Sequence, residues 1–158
     1  MNAKMPALKS CFEAAGFSDV RTLLSSGNVV FNARSLPLAT LERRAEKAMQ
    51  SELGRSFDTI VRSAEYLQEL IASDPFAEFR LPPTAKRVVT FLRAPAQSTL
   101  KLPIKRDGAS ILKVNGSEVF AAYVTGPKGP AFMSLIERTF GKNITTRTLD
   151  TVRKCASE

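Results

Sequence analysis

The chain has 158 residues, of which 44% are hydrophobic and 24% charged, and this composition is typical of a folded globular protein rather than a disordered one. It has no apolar run near the ~20 residues that span a membrane and no signal-peptide core at its start, so we expect a cytoplasmic protein. The absence of histidine excludes Ser-His-Asp and Cys-His catalysis and the common zinc sites.

The net charge of +8 is confined to the second half of the sequence. Residues 1–80 carry ten Lys or Arg and ten Asp or Glu, whereas residues 81–158 carry thirteen and five, so the first half is neutral and the second is +8. A basic half of this kind favours an anionic partner, with nucleic acid first among the polyanions. The alternative is a set of dispersed charges that only keep the protein in solution.

The first predicted element is a helix between Pro6 and Gly16. Proline is favoured in a first helical turn because its missing N–H is not needed there, and glycine is favoured just past the last turn. We interpret Cys11 as a core residue and not as a nucleophile, since no base is available to activate it. The three- and four-residue spacing that predicts the helix is carried by Leu8, Cys11, Phe12 and Ala15.

A β-hairpin is predicted over Val20 to Ala33, with its turn at residues 25–28. Gly27 and Asn28 accept the positive φ that a hairpin turn needs. We therefore interpret Asn28 through its backbone conformation and not through its side-chain amide. The hairpin is the sharpest local signal in the sequence.

A second helix, a strand and a third helix follow the hairpin. The second helix opens near Pro37, and Glu42 and Glu46 fall on its charged side, which we interpret as a solvated face. Residues 57–61 predict a short strand, and Ser63 is placed to cap the third helix.

The elements of residues 1–80 form the order helix, strand, strand, helix, strand, which is a ferredoxin-like βαββαβ unit that lacks its first strand. That strand is normally central, so its absence leaves backbone groups without partners. Either the true start lies upstream, or another chain or segment fills the gap. A second copy in that place would make a homodimer through the open edge.

Residues 81–84, with two prolines, predict the joint between this lobe and a basic α+β lobe over residues 81–158. The charge changes at the same point. The alternative is one compact domain overall. In either case the predicted fold class is α+β.

The second lobe is predicted as a small antiparallel sheet with C-terminal helices. Its strongest strand runs from Arg87 to Leu92, and a hairpin with an Asn115-Gly116 turn follows. Two helices close the chain, the first from about Ala131 to Phe140 and the last capped by Thr146 or Thr148.

An ordered series of motifs over nearly the whole chain resembles a bacterial family. The series begins with the first helix, Asp19-Val20-Arg21-Thr22 and Ser26-Gly27-Asn28-Val29-Val30-Phe31. It continues with Val61-Arg62-Ser63, Asp74-Pro75-Phe76, Val89-Thr90-Phe91-Leu92, Leu135-Ile136-Glu137-Arg138 and Thr145-Thr146-Arg147. In this it is similar to the proteins catalogued as domain of unknown function 1697. The resemblance implies an α+β fold of two related lobes and no particular biochemical activity.

Three features depart from the pattern of that family. The family usually begins with a strand and a glycine-containing loop, which this chain lacks upstream of Asn2. Its Ser-Lys pair before the penultimate helix is Pro130-Ala131 here, and its Asn-Trp is Thr148-Leu149. If those residues form an anion site in relatives, the departures predict a weaker one in this chain.

Basic residues of the second lobe are the candidate contacts for an anion or nucleic acid: Lys128, Arg138, Lys142, Arg147, Arg153 and Lys154, with Lys86, Arg87 and Arg93 near the preceding strand. Aromatic residues interleaved with them, which would make a stacking platform, are sparse. No catalytic residue, metal site or cofactor is predicted. The loop of residues 126–129 precedes a helix but lacks the spacing of a P-loop, so we expect an ordinary loop there.

Two hypotheses about function follow. The first is a non-enzymatic binding module whose basic lobe binds nucleic acid or another polyanion. The second is a small-ligand protein or enzyme that acts on a phosphorylated or anionic metabolite in a cleft between the lobes. The sequence leaves open whether the protein is an enzyme.

Overall fold

The computed structural model describes residues 4–23, 27–55, 57–95, 101–124 and 131–157. Helices and strands are mixed along the chain, which confirms the predicted α+β class. The backbone groups into two units, one made of Met1–Gln68 with Lys154–Glu158 and the other of Glu69–Arg153. Two helices, at residues 64–72 and 149–157, each begin in one unit and end in the other.

The first unit contains two helices, a two-stranded hairpin and the parts of two further helices. Its elements are α1 (Met5–Ala14), β1 (Ser18–Leu23), β2 (Asn28–Asn32), α2 (Leu38–Leu53), the start of α3 (Ala64–Ala72) and the end of α5 (Leu149–Ser157).

The core of the first unit lies between the hairpin and the helices α1 and α2. Cys11 and Ala45, from the two helices, are completely buried. Three aromatic rings join this core to the hairpin, and Phe17 stacks on Phe31 with 4.3 Å between ring centroids, while Phe12 lies tilted against both. The predicted inward face of α1 is thereby confirmed.

The end of the hairpin is held by a side chain as well as by backbone geometry. The Asn28 amide donates a hydrogen bond to the Leu23 carbonyl at 3.1 Å, and Asn28 is 9% exposed. The left-handed conformation is at Gly27, with φ 86°, and not at Asn28. The interpretation of Asn28 through its backbone alone was therefore wrong, because its buried amide closes the hairpin.

Residues 57–63 belong to neither of the sheets that the described residues form. Two carboxylates of α2 accept amides of this segment: Glu46 binds the Thr59 N–H and Glu42 binds the Val61 N–H, each at 2.8 Å. Amides two residues apart point to the same side of an extended chain, and side chains four residues apart share one face of a helix. The predicted strand over 57–61 and the solvated role of Glu42 and Glu46 are both corrected.

The first strand that the ferredoxin-like unit is predicted to lack, and the sheet edge that its loss would open, stay predictions. The homodimer through that edge stays a prediction.

The second unit consists of a five-stranded sheet with helices. Its elements are the end of α3, β3 (Lys86–Leu92), β4 (Ile104–Arg106), β5 (Ala109–Asn115), β6 (Glu118–Tyr123), α4 (Ala131–Phe140), β7 (Ile144–Thr148) and the start of α5.

All neighbouring strands of this sheet are antiparallel, in the order β4-β5-β6-β3-β7. Helix α4 covers one face, where Phe132, Leu135 and Ile136 pack with residues such as Val88 and Ala121. Residues of β3 from Val88 onward are buried on both faces of the sheet, and so are the first five residues of its neighbour β6.

The second half follows the predicted elements with two additions. Helix α4 has the predicted bounds, the Asn115-Gly116 turn is present with φ 62° at Gly116, and Thr148 caps α5. Neither β4 nor β7 was predicted, because these strands are three and five residues long and rich in polar side chains. Among the described residues, no helix is both long and apolar enough to cross a membrane.

We predict that the two carboxylates of α2 stabilise the first unit. Glu42→Ala and Glu46→Ala should each lower the free energy of unfolding by about 1–2 kcal/mol, because each leaves a partly buried backbone N–H without its acceptor. Urea unfolding followed by circular dichroism measures this. Glu42→Gln retains an oxygen acceptor and should cost less. Glu52→Ala, at an exposed position of the same helix, should change the free energy by no more than about 0.5 kcal/mol. Equal losses in all four variants would contradict the role of these hydrogen bonds.

Candidate functional site

A groove with a volume of about 680 Å³ lies in the second unit, where the turn of residues 74–79, the start of β3 and the first turn of α5 meet. Its charged side chains are both basic and acidic, and the remainder are mostly apolar. The lining residues are Lys86, Arg87, Arg153, Asp74, Asp150, Phe76, Ala77, Phe79, Ala85, Thr148 and Leu149. We call this site the β3–α5 groove.

Arg87 reaches the groove because β3 emerges from the sheet interior at this point. Lys86 and Arg87 are exposed, whereas the next five residues are all buried. Arg87 shares its side of the strand with Val89, which is paired with Phe120 on the face opposite α4. The same face carries Phe76, whose ring meets Phe120 edge-on at 5.8 Å between centroids.

The aromatic wall of the groove comes from the turn of residues 74–79. Phe76 is 4% exposed and anchors this turn to the sheet. The Phe79 N–H donates to the Phe76 carbonyl at 3.1 Å, which fixes the backbone between the two rings. Phe79 is only half-buried, so the groove has an accessible aromatic ring in the same lining as its cations.

Helix α5 adds its first turn and Arg153. The Thr148 hydroxyl accepts a hydrogen bond from the Thr151 N–H at 3.3 Å and caps the helix. An Arg153 guanidinium nitrogen lies 3.1 Å from the Asp150 carboxylate, and with both side chains more than half exposed this pair contributes at most about 1 kcal/mol. Since a guanidinium has five N–H donors, Arg153 can bind an anion while it keeps this contact.

Lys86 is directed partly away from the groove. Its ammonium lies 5.9 Å from the centroid of the Tyr123 ring, and Tyr123 stacks on Phe132 of α4 at 4.9 Å. Strand alternation also assigns Lys86 to the α4 face. Arg87 and Arg153 are therefore the cations that dominate the groove.

Arg147 lies on the same sheet face as Arg87 but outside the groove lining. It is paired with Val89 across the β3–β7 ladder, two residues along β3 from Arg87. One of its guanidinium nitrogens donates to the Thr146 carbonyl at 2.9 Å. Arg147 thus extends the basic surface of this face beyond the groove.

The other sequence-predicted candidates do not meet in the groove. Arg138 is exposed on α4, the helix that covers the opposite face of the sheet, and Lys142 is exposed in the connection from α4 to β7. Lys154 is exposed on α5 within the first unit. Arg93 directly follows β3 at its far end, and Lys128 lies outside the described residues.

Sequence reasoning missed Phe79 and the two carboxylates of the groove. Phe79 and Asp150 lie in no motif, and Phe79 and Asp74 share a groove with Arg153 because β7 pairs with β3 across more than fifty residues of sequence. Only Asp74-Pro75-Phe76 gave a signal, as one of the family-like motifs.

The described residues contain no group of three or more Asp, Glu, Cys or His side chains that could hold a metal ion. Burial raises the pKa of the Cys11 thiol above its ordinary value, and the Glu52 carboxylate adds to the rise. Both effects oppose formation of the reactive thiolate. Cys11 is thus a core residue of the first unit.

The chain belongs to a family of bacterial proteins of unknown function. The model of that family, described as protein of unknown function (DUF1697), matches residues 1–120. This confirms the resemblance inferred from the ordered motifs. No curated protein shows a significant match.

The fold is similar to that of a solved structure, the conserved bacterial protein SP0830 from Streptococcus pneumoniae. The TM-score is 0.68 at 15% sequence identity, and the match covers 99% of this chain and 88% of that one. At this identity the likeness shows a common fold alone.

We predict that the two thiols react at very different rates. Cys11 is fully buried and Cys155 is half-buried, so a thiol-reactive disulfide reagent at about pH 8 should label Cys155 rapidly and Cys11 slowly in the folded protein. The absorbance of the coloured thiol that the reagent releases on reaction with each cysteine measures both rates. Cys155→Ser should remove the fast phase, and urea should make the two rates similar. A fast phase that persists in Cys155→Ser would contradict the core role of Cys11.

Proposed function

We propose that the protein is a non-enzymatic binding module, and that its second unit binds nucleic acid or another polyanion through the β3–α5 groove and the adjoining basic face of the sheet. The observation that carries the proposal is that Arg87 and Arg153, from distant segments of the second unit's sequence, line one groove.

Two features of the structure support an anionic ligand here. The first turn of α5 lines the groove, and the amides at the start of a helix favour negative charge. Arg147 on the same sheet face offers a further cation along the path of an extended polyanion. The remaining candidates, Arg138 and Lys142, lie elsewhere on the second unit and would serve at most as general attraction.

A small phosphorylated or anionic metabolite is the second candidate. The volume of the groove falls within the range of about 300–1,000 Å³ typical of small-molecule sites. A thermal-shift screen with nucleotides and phosphorylated metabolites tests it, because a ligand that binds only the folded protein raises its melting temperature. The cleft between two lobes, which the sequence suggests for such a ligand, stays a prediction.

We predict that oligonucleotide binding depends on the two groove arginines. In fluorescence anisotropy with labelled DNA and RNA, the affinity should fall steeply as salt rises from about 50 to 200 mM. Arg87→Ala with Arg153→Ala should weaken binding by about tenfold or more at low salt. The slope of the logarithm of the binding constant against the logarithm of the salt concentration should become shallower by about 1 for each phosphate that the variant no longer neutralises.

The matched control is Lys105→Ala with Arg106→Ala, which removes the same charge from exposed positions on β4. This control should retain most of the affinity. If both pairs weaken binding equally, net charge and not the groove is responsible. If the wild-type protein binds neither nucleic acid nor heparin at low salt, polyanion binding is excluded.

A further inference from the structure

We propose that the β3–α5 groove receives a single-stranded nucleic acid, with one base against the Phe79 ring and the flanking phosphates on Arg87 and Arg153. This inference rests on the proposed function and names its substrate class. A duplex is excluded from the groove, since its bases are already stacked inside the helix.

The carboxylates of the groove favour a nucleotide as the ligand over a chain of phosphates without bases. Asp74 and Asp150 line the same groove as the arginines, and their charge would repel a surface that presents only phosphates. A nucleobase also has N–H and amino donors, which carboxylates accept, as they do from the amino group of cytosine. A ligand with both donors and phosphates fits this mixture of charges.

The aromatic ring supplies the surface on which a base stacks. Phe79 is half-buried and lines the groove, and its backbone is held by the hydrogen bond from its N–H to the Phe76 carbonyl. Phe76 directly beneath the turn is buried against Phe120, which holds the wall in place. Stacking of a base on such a ring contributes affinity without strong sequence preference.

The size of the groove suits one unpaired nucleotide. At about 680 Å³ the groove has the volume of a small-molecule site, which admits a single nucleotide with its neighbouring phosphates. Proteins that recognise unpaired strands characteristically combine splayed bases on aromatic rings with cations along the backbone. The β3–α5 groove has both parts within one lining.

A single introduced tryptophan tests contact between a base and position 79. The sequence contains no tryptophan, so Phe79→Trp places one fluorescent reporter in the groove and retains an aromatic face. Single strands of about ten nucleotides should quench its fluorescence on stacking. Tyr66→Trp is the control, because Tyr66 is 39% exposed on α3 in the first unit, and its fluorescence should not change.

A second variant measures the contribution of the ring to affinity. Phe79→Leu keeps an apolar side chain without a π-face and should weaken single-strand binding about tenfold while leaving duplex binding unchanged. Circular dichroism checks that the variant is folded. If it does not fold, quenching of Phe79→Trp alone decides the question.

The outcomes separate this inference from the proposed function. If the wild-type protein binds nothing, both fail. If it binds single strands and duplexes equally and the Phe79→Trp signal is unchanged, the groove is not a base site although polyanion binding stands. If cytidine monophosphate binds as tightly as the ten-nucleotide strand, a free nucleotide is the ligand and the single-strand inference is overturned.

Discussion

Burial of β3 on both faces is the constraint on which the second unit depends. From Val88 to Leu92 the strand has neighbours on either side and apolar layers above and below. An unpaired charge inside such a strand would cost free energy, and both basic residues of β3 occupy its exposed first two positions. The location of Arg87 is thus a direct consequence of how the sheet buries the remainder of β3.

In the first unit the corresponding constraint is the satisfaction of backbone hydrogen bonds. Among the residues that the structure describes, the sheet of this unit has two strands, and residues 57–63 run outside it. Glu42 and Glu46 accept amides of this segment, and the buried Asn28 amide binds a carbonyl at the hairpin end. Polar side chains therefore complete hydrogen bonding that a larger sheet would supply through its backbone.

The sequence predicts local elements better than the neighbours that each element acquires. Helix α4 and the hairpin around Gly116 were predicted because their signals lie within about ten residues. The short strand β7 was missed because its stability comes from pairing with β3, including a 2.8 Å hydrogen bond between the Thr90 and Thr146 hydroxyls. The opposite error at residues 57–61 has the same cause, since a strand-like pattern there found no strand partner among the described residues.

The candidate site shows this limit most clearly. The basic composition of the second half was evident from the sequence, but only the pairing of distant segments determines that Arg153 shares a groove with Arg87 while Arg138 does not. Phe79 has no distinguishing sequence context. It lines the groove because Phe76 packs against the sheet and so positions the turn that contains both residues.

The position of Thr148 has a consequence for the energetics of recognition. This residue is both the last of β7 and the cap of α5, so no loop intervenes between the strand ladder and the helix that carries Arg153. Arg87 and Arg153 are consequently mounted on backbones that share one hydrogen-bonded framework. When a ligand binds both arginines, the backbone therefore loses little conformational entropy. The entropic cost of binding then comes mainly from ordering the two arginine side chains.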